Sequence, residues 1–310
     1  MPDTPPPDRL PVVAVVGPTA TGKSDLGVLL ALRLGGEVVN ADASQLYRGM
    51  DVGTAKPTVA ERRGVAHHQL DVLDVREEAS VAAYQRHARA DLAAVRERGR
   101  VPVVVGGSGL YVRALLDELE IPPTDEAVRA RWQARLEERG VEELYAELAA
   151  RDPRAAERIE PRNGRRVVRA LEVIELTGRP FSAALPERRH RQPTVMVGLR
   201  AEREVLDQRI ARRVDRMWAH GLLEEVRRLE RQGLREGRTA SRAIGYAQAL
   251  AQLDGELDEQ QARADTAQAT RRLARRQQSW FGPDPRIRWL GHDDPDLADR
   301  AVELIAAGSG

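Results

Sequence analysis

Eight residues near the N-terminus carry the clearest chemistry in the chain. Gly17-Pro18-Thr19-Ala20-Thr21-Gly22-Lys23-Ser24 follows the spacing G-x-x-x-x-G-K-[ST]. A loop of this kind turns backbone N–H groups inward around a phosphate, and a helix starting at its end adds a favourable dipole. Lys23 would neutralise the terminal phosphate, and the Ser24 hydroxyl would ligate Mg²⁺. The β-branched run Val12–Val16 in front reads as a buried strand, and Asp25 to Leu34 behind it has helical spacing. The loop therefore binds phosphate without saying which reaction follows.

Most P-loop hydrolases hold their metal with an acid at the end of an apolar strand. Here Val101–Val105 runs into Gly106-Gly107-Ser108 with no carboxylate, and the acid stands instead at Asp42, after the apolar stretch Glu37–Ala41. Ligands of open parallel sheets lie across the carboxyl ends of the strands, which would put Asp42 opposite the acceptor of a transferred group. A carboxylate there can take a proton as a general base; it can equally cap a turn. The glycine-punctuated stretch Tyr47–Pro57 is a loop, and its Lys56 could reach a phosphate or lie exposed. His67-His68 would point in different directions on a strand and have no third ligand in view, so ordinary loop or core histidines are expected.

Composition narrows the class. The 310 residues are 42% hydrophobic and 31% charged, as expected of a globular protein, and there is no cysteine for disulfides, thiolate zinc sites or thiol nucleophiles. Met1–Leu10 is proline-rich, contains Asp3 and Asp8, and lacks an apolar core of the signal-peptide kind. No stretch approaches the ~20 apolar residues of a membrane span, so a cytoplasmic protein is expected. Lysine occurs only at 23 and 56; every other Lys/Arg cation is arginine. Arg151–Arg191 holds eleven arginines against six acids, and Arg263–Arg276 five against one, the pattern of a polyphosphate-binding groove or of solvated helix faces.

Further elements must position these residues. Gln69–Val75 is read as a third strand, Ser80–Arg98 as a helix capped by Ser80, Thr194–Leu199 and Arg286–Leu290 as later strands. Helices are expected over Asp125–Leu148, Arg165–Leu176, Arg203–Arg231, Ser241–Leu253 and Asp258–Trp280, with fraying at Gly308-Ser309-Gly310. Strands alternating with helices give an α/β fold, a P-loop NTPase-like parallel sheet covered on both faces. Residues 1–116 and 191–310 form that core, and residues 117–190 a helical insertion.

Several blocks together resemble one family. In order they are Gly17–Ser24, Asn40-Ala41-Asp42, Gln45–Asp51, Gly53–Pro57, Gly106–Tyr111, Arg166–Val173, Gly245-Tyr246, Arg272–Gln277 and Trp280-Phe281. This set, spread over nearly the whole chain, is similar to bacterial tRNA dimethylallyltransferase, also called tRNA isopentenyltransferase. The resemblance implies transfer of a dimethylallyl group from dimethylallyl diphosphate to N6 of adenosine 37 beside the tRNA anticodon, with release of diphosphate. It implies Asp42 as the base that accepts the N6 proton and Arg213 as a diphosphate contact. The donor cradle would comprise Gly17, Pro18, Thr19, Ala20, Thr21, Gly22, Lys23 and Ser24, with Mg²⁺ on Ser24. Contacts to tRNA would come from Asp42, Ala43, Ser44, Gln45, Ser108, Arg129, Arg165, Arg166, Val167, Val168 and Arg169. The chain departs from the family where Ala43-Ser44 replaces the usual Ser-Met, so a hydroxyl contact to RNA is lost or displaced there. A monomer is expected.

Three rival readings stay open on residues alone. A P-loop small-molecule kinase would have no use for the arginine-rich segments beyond residue 150. Prenylation of a free adenine nucleotide would need no insertion. A nucleotide-gated RNA-binding switch would tolerate loss of Asp42.

Overall fold

Val12–Val16 (β1) is completely buried, and its side chains alternate between two cores. Val13 and Val15 face one, Val12, Ala14 and Val16 the other, which is the period-2 signature of a central strand covered on both faces. The computed structural model describes residues 11–184 and 188–308; the readings of Met1–Leu10 and of Ser309-Gly310 lie outside them. After β1 come α1 (Lys23–Leu34), β2 (Gly36–Asn40), a 3₁₀ turn at Ala43–Leu46, β3 (His67–His68), α2 (Val81–Glu97), β4 (Val101–Val105) and α3 (Gly109–Leu116). Next are α4 (Glu126–Arg151), α5 (Pro153–Ala156) and α6 (Gly164–Thr177). The chain continues with β5 (Thr194–Arg200), α7 (Arg203–Ala219), α8 (Leu222–Glu230), α9 (Tyr246–Leu253), α10 (Glu259–Phe281), β6 (Ile287–Gly291) and α11 (Leu297–Ala307).

The six strands are all parallel in the order β3-β2-β4-β1-β5-β6. Asn40 of β2 and Val15 of β1 both pair with Val105 of β4, one on each side, so Gly17, Asp42 and Gly106 all emerge at one carboxyl edge. Helices α1 and α11 cover one face through Leu26, Leu30 and Ile305; α2 and α3 cover the other through Tyr84, Leu92 and Leu115. A separate core, centred on Ile210, Leu222 and Tyr246, knits α7 to α10. The chain divides into two compact units, Asp117–Arg191 and the remainder. The smaller has its own core of Val128, Trp132, Leu144, Leu148, Val167 and Leu171 on α4 and α6.

The structure corrects several sequence readings. The third strand is His67–His68, not Gln69–Val75, because Gln69 and Asp71 adopt left-handed backbones (φ 58° and 57°) that end extended geometry. Asn40 Nδ2 donates to the Gln69 carbonyl at 2.9 Å and Lys56 Nζ to Asp71 Oδ1 at 2.6 Å, which hold this kinked segment in place. The helix expected over Arg203–Arg231 breaks at Gly221 (φ 86°), and that over Asp125–Leu148 is interrupted at Gly140 (φ 80°). The helix expected from Ser241 starts at Tyr246. Helices α3 and α11 form in stretches where the sequence alone suggests no helix.

Candidate active site

Where β1 ends the chain must turn sharply, and Gly17 (φ 133°) permits it: a Cβ there would sit 2.5 Å from the Leu199 carbonyl oxygen. Pro18 O then accepts from both Thr21 Oγ1 (2.8 Å) and Lys23 Nζ (2.6 Å), closing the loop on itself. Ala20 is held in the left-handed region (φ 65°), and Arg209 Nε donates to its carbonyl at 2.6 Å. A non-glycine residue kept in that conformation is strain that the surrounding contacts must hold. Gln277 of α10 braces the other side: the Thr19 N–H donates to its Oε1 at 2.8 Å, and its Nε2 donates to Gly107 O at 3.0 Å.

The loop opens on a cleft of about 570 Å³, counting its mouth, lined by Thr19, Lys23, Ser24, Asp42, Arg213 and the loop residues Thr54, Ala55 and Pro57. Its floor is apolar at Val38, Leu70 and Val105. Burial presses the Lys23 ammonium down to about pKa 8, against the opposing pull of Asp42 and with help from Arg213. Burial also pushes the Arg213 guanidinium down, again opposed by Asp42. Two partly desolvated cations against one carboxylate leave the cleft short of negative charge, the condition for holding a polyanion. Arg213 is aimed by two acceptors, Thr19 Oγ1 at 3.3 Å and Thr54 O at 3.1 Å. Ser24 Oγ has no hydrogen-bond partner among the described residues and borders the cleft, which suits a Mg²⁺ that takes one or two protein ligands and the rest from phosphate and water.

Of the two sequence readings of Asp42, the turn cap is the one visible in its bonds. It caps the 3₁₀ turn, its Oδ1 accepting from Ser44 N at 3.1 Å and Ser44 Oγ at 2.7 Å. Oδ2 has no hydrogen-bond partner among the described residues, and the residue borders the cleft. Asn40 fixes the backbone on both sides: its Oδ1 accepts from Asp42 N (3.0 Å) and its Nδ2 donates to Asp42 O (3.0 Å). Tyr84 Oη in turn donates to Asn40 O at 2.8 Å.

The residues expected to meet RNA divide. Ala43 N donates to Ser108 Oγ at 3.1 Å, so these two lie together beside Asp42, both half-buried. Gln45 is buried, and its Nε2 donates to the carbonyls of Thr54 and Ala55, so its amide ties loop to turn. Arg165 and Arg166 are exposed at the start of α6. Val167 and Val168 are corrected: at 0% and 4% exposure they belong to the core of the smaller unit and present no side chain to a partner. Arg129 and Arg169 both clasp the fully buried Glu172, which explains arginine at those positions by structure alone. Lys56 is corrected too. It is neither exposed nor on a phosphate, but donates to Tyr47 O, Asp51 Oδ1 and Asp71 Oδ1 with 2% of its side chain accessible. His68 Nε2 meets Glu37 Oε2 at 2.6 Å and His67 Nδ1 meets Val65 O at 2.9 Å, and no cluster of metal-ligating side chains occurs among the described residues. The sequence alone gives Asn40, Thr54 and Gln277 no role; all three stand inside the quoted blocks, but nothing in their spacing shows what they bond.

The sequence profile described as IPP transferase matches residues 45–284. The chain belongs to that family. It is 61% identical to the tRNA dimethylallyltransferase of Kineococcus radiotolerans, over 97% of this chain and 98% of that one. It is 60% identical to the enzyme of the same name from Thermobifida fusca, over 96% and 95%. Among solved structures it superposes on the Bacillus halodurans tRNA isopentenylpyrophosphate transferase with a TM-score of 0.70 at 41% identity, covering 96% of each chain. A eukaryotic dimethylallyltransferase captured acting on tRNA matches with a TM-score of 0.79 at 27% identity, over 95% of this chain and 77% of that one. The α/β fold with an all-parallel sheet is thus the fold of this IPP transferase family. No described helix is long and apolar enough to cross a membrane.

Proposed function

We propose that the chain transfers the dimethylallyl group of dimethylallyl diphosphate to N6 of adenosine 37 in tRNA, releasing diphosphate. The observation that carries the reading is the meeting, in one cleft, of a P-loop, two desolvated cations and a carboxylate with one unpartnered oxygen. In the reaction the allylic C–O bond breaks, its electron pair leaves on the diphosphate, N6 forms the new C–N bond, and the N6 proton passes to Asp42 Oδ2. Lys23, Arg213 and the loop amides face the charge that grows on the leaving group, where preorganised donors contribute most. A magnesium ion bound at the Ser24 hydroxyl would add its positive charge beside the same diphosphate.

The names of the relatives support the reaction, and the lack of an acid after β4 supports a leaving diphosphate rather than a hydrolysed nucleotide. The adenine must leave its stack to reach Asp42, as in other enzymes that act on a base. Exposed Arg165 and Arg166 suit phosphate contact on the anticodon stem-loop, and a cytoplasmic location follows from the substrate. The test is a transfer assay with Mg²⁺ and labelled dimethylallyl diphosphate, offered unmodified tRNA or AMP, beside ATP controls. Label at adenosine 37, lost in Asp42→Asn, is expected. Label in AMP alone would make the acceptor a free nucleotide, and ATP consumption without transfer would sink the reading.

A further inference from the structure

The two oxygens of Asp42 are not equivalent. Oδ1 receives two donors from one residue, the amide of Ser44 at 3.1 Å and its hydroxyl at 2.7 Å, whereas Oδ2 has no partner among the described residues. The backbone beneath cannot adjust, because Asn40 binds both Asp42 N and Asp42 O, and Ser108 Oγ accepts from the next amide, Ala43 N. Rotating the carboxyl group out of this orientation would break both bonds to Ser44. A backbone amide alone would leave the group hinged on one contact; the added hydroxyl makes a second, charge-assisted one. An oxygen that already accepts two hydrogen bonds has little basicity left for a third proton, so the oxygen that meets the acceptor is set by its twin. The hydroxyl two residues after the aspartate thus points at the carboxylate.

We propose that Ser44 is a positioning residue for the transfer: its hydroxyl holds Asp42 so that Oδ2 alone receives the N6 proton. The inference rests on the reading of Asp42 as the base and replaces a role for the Ser44 hydroxyl proton in contacting RNA. Ser44→Ala keeps the backbone amide bond and removes only the hydroxyl. Losing one charge-assisted bond that orients a base is expected to lower kcat roughly tenfold while both KM values stay within about twofold. Ser44→Thr, which restores the hydroxyl, should recover kcat to within about threefold of the native enzyme. In an Asp42→Asn background, Ser44→Ala should change nothing further, since residues acting as a unit are not additive.

The experiment is steady-state transfer to unmodified tRNA by the native enzyme and these variants, with circular dichroism to check that each is folded. A native kcat in Ser44→Ala overturns the proposal. So does a rise in KM for tRNA with kcat kept, which would make the hydroxyl an RNA contact, or a rate loss that threonine does not recover. Native activity in Asp42→Asn overturns the reading of the base and this inference with it. Loss in Asp42→Asn beside an unchanged Ser44→Ala overturns the inference alone.

Discussion

Lys23 makes donor binding depend on pH in a way that can be worked out. Its ammonium is pressed from the ordinary lysine value of 10.5 to about 8, by burial first, with Asp42 resisting and Arg213 assisting. A diphosphate seated in the loop would supply the missing counter-charge and return the proton's affinity. Donor therefore binds the protonated enzyme, and the free enzyme loses that form above about pH 8. The apparent KM for dimethylallyl diphosphate should follow 1 + 10^(pH − 8), rising roughly tenfold between pH 7 and pH 9. The second ionisation of a phosphate, near pH ~6, lies below this window and does not mimic the effect. The same shift has a sign for stability. The unfolded chain keeps the Lys23 proton up to about 10.5 and the folded chain only to about 8, so without ligand the folded state gains on the unfolded as pH rises through that window. At neutral pH the penalty for the buried ammonium is about 3 kcal/mol, at ~1.4 kcal/mol per pH unit. The assay is donor KM at saturating tRNA from pH 6.5 to 9.5 at constant ionic strength, with Lys23→Arg as control because a guanidinium stays charged throughout. A flat donor KM in the native enzyme, or the same slope in Lys23→Arg, would refute the argument.

Two further substitutions probe how the cleft is built. Gly53→Ala would place a Cβ 2.5 Å from Tyr246 Cε2 and 2.9 Å from Leu222 Cδ1; overpacking of this kind costs roughly 1–3 kcal/mol, read by urea unfolding, and a native midpoint would contradict the packing. Gln277→Leu leaves Thr19 N and Gly107 O without their side-chain partner; a loss of about 2 kcal/mol and a several-fold higher donor KM are expected, against no change if α10 does not brace the P-loop.

The parts of the fold that were legible in the sequence are those written in short-range pattern. The five valine-rich or glycine-ended strands and the P-loop follow from periodicity and from residues adjacent in the chain. The glycine at 35 ends α1 with φ 62°, and Ser80 caps α2, both as spacing implies. What failed was set by distant partners. Gln69 and Asp71 look like strand residues, but Asn40 and Lys56 hold them in left-handed turns. Arg129 and Arg169 look like a nucleic-acid patch because a sequence cannot show that both converge on Glu172, forty-three and three residues away. Val167 and Val168 directly follow the exposed Arg165 and Arg166 in the chain but turn into the core, since neighbours along a helix point in different directions.

The two lysines of an otherwise arginine-based chain make sense on the same terms. Lys56 is enclosed by three acceptors at 2.6 to 2.8 Å, Tyr47 O, Asp51 and Asp71, which matches the three donors of an ammonium. A guanidinium in that pocket would bury N–H groups with nothing to accept them, at a cost of about 1–3 kcal/mol each. From the opposite side Glu225, 3% exposed, accepts from the amides of Asp51, Val52 and Gly53 and from Tyr246 Oη at 2.5 Å. A buried cation and a buried anion thus hold one loop, Lys56 through Tyr47 O and two carboxylates and Glu225 through three amides. That loop delivers Thr54 O to Arg213, which borders the same cleft as Lys23. At 56 the ammonium has an acceptor for each of its three donors, whereas at 23 it has one, Pro18 O at 2.6 Å, and borders the cleft.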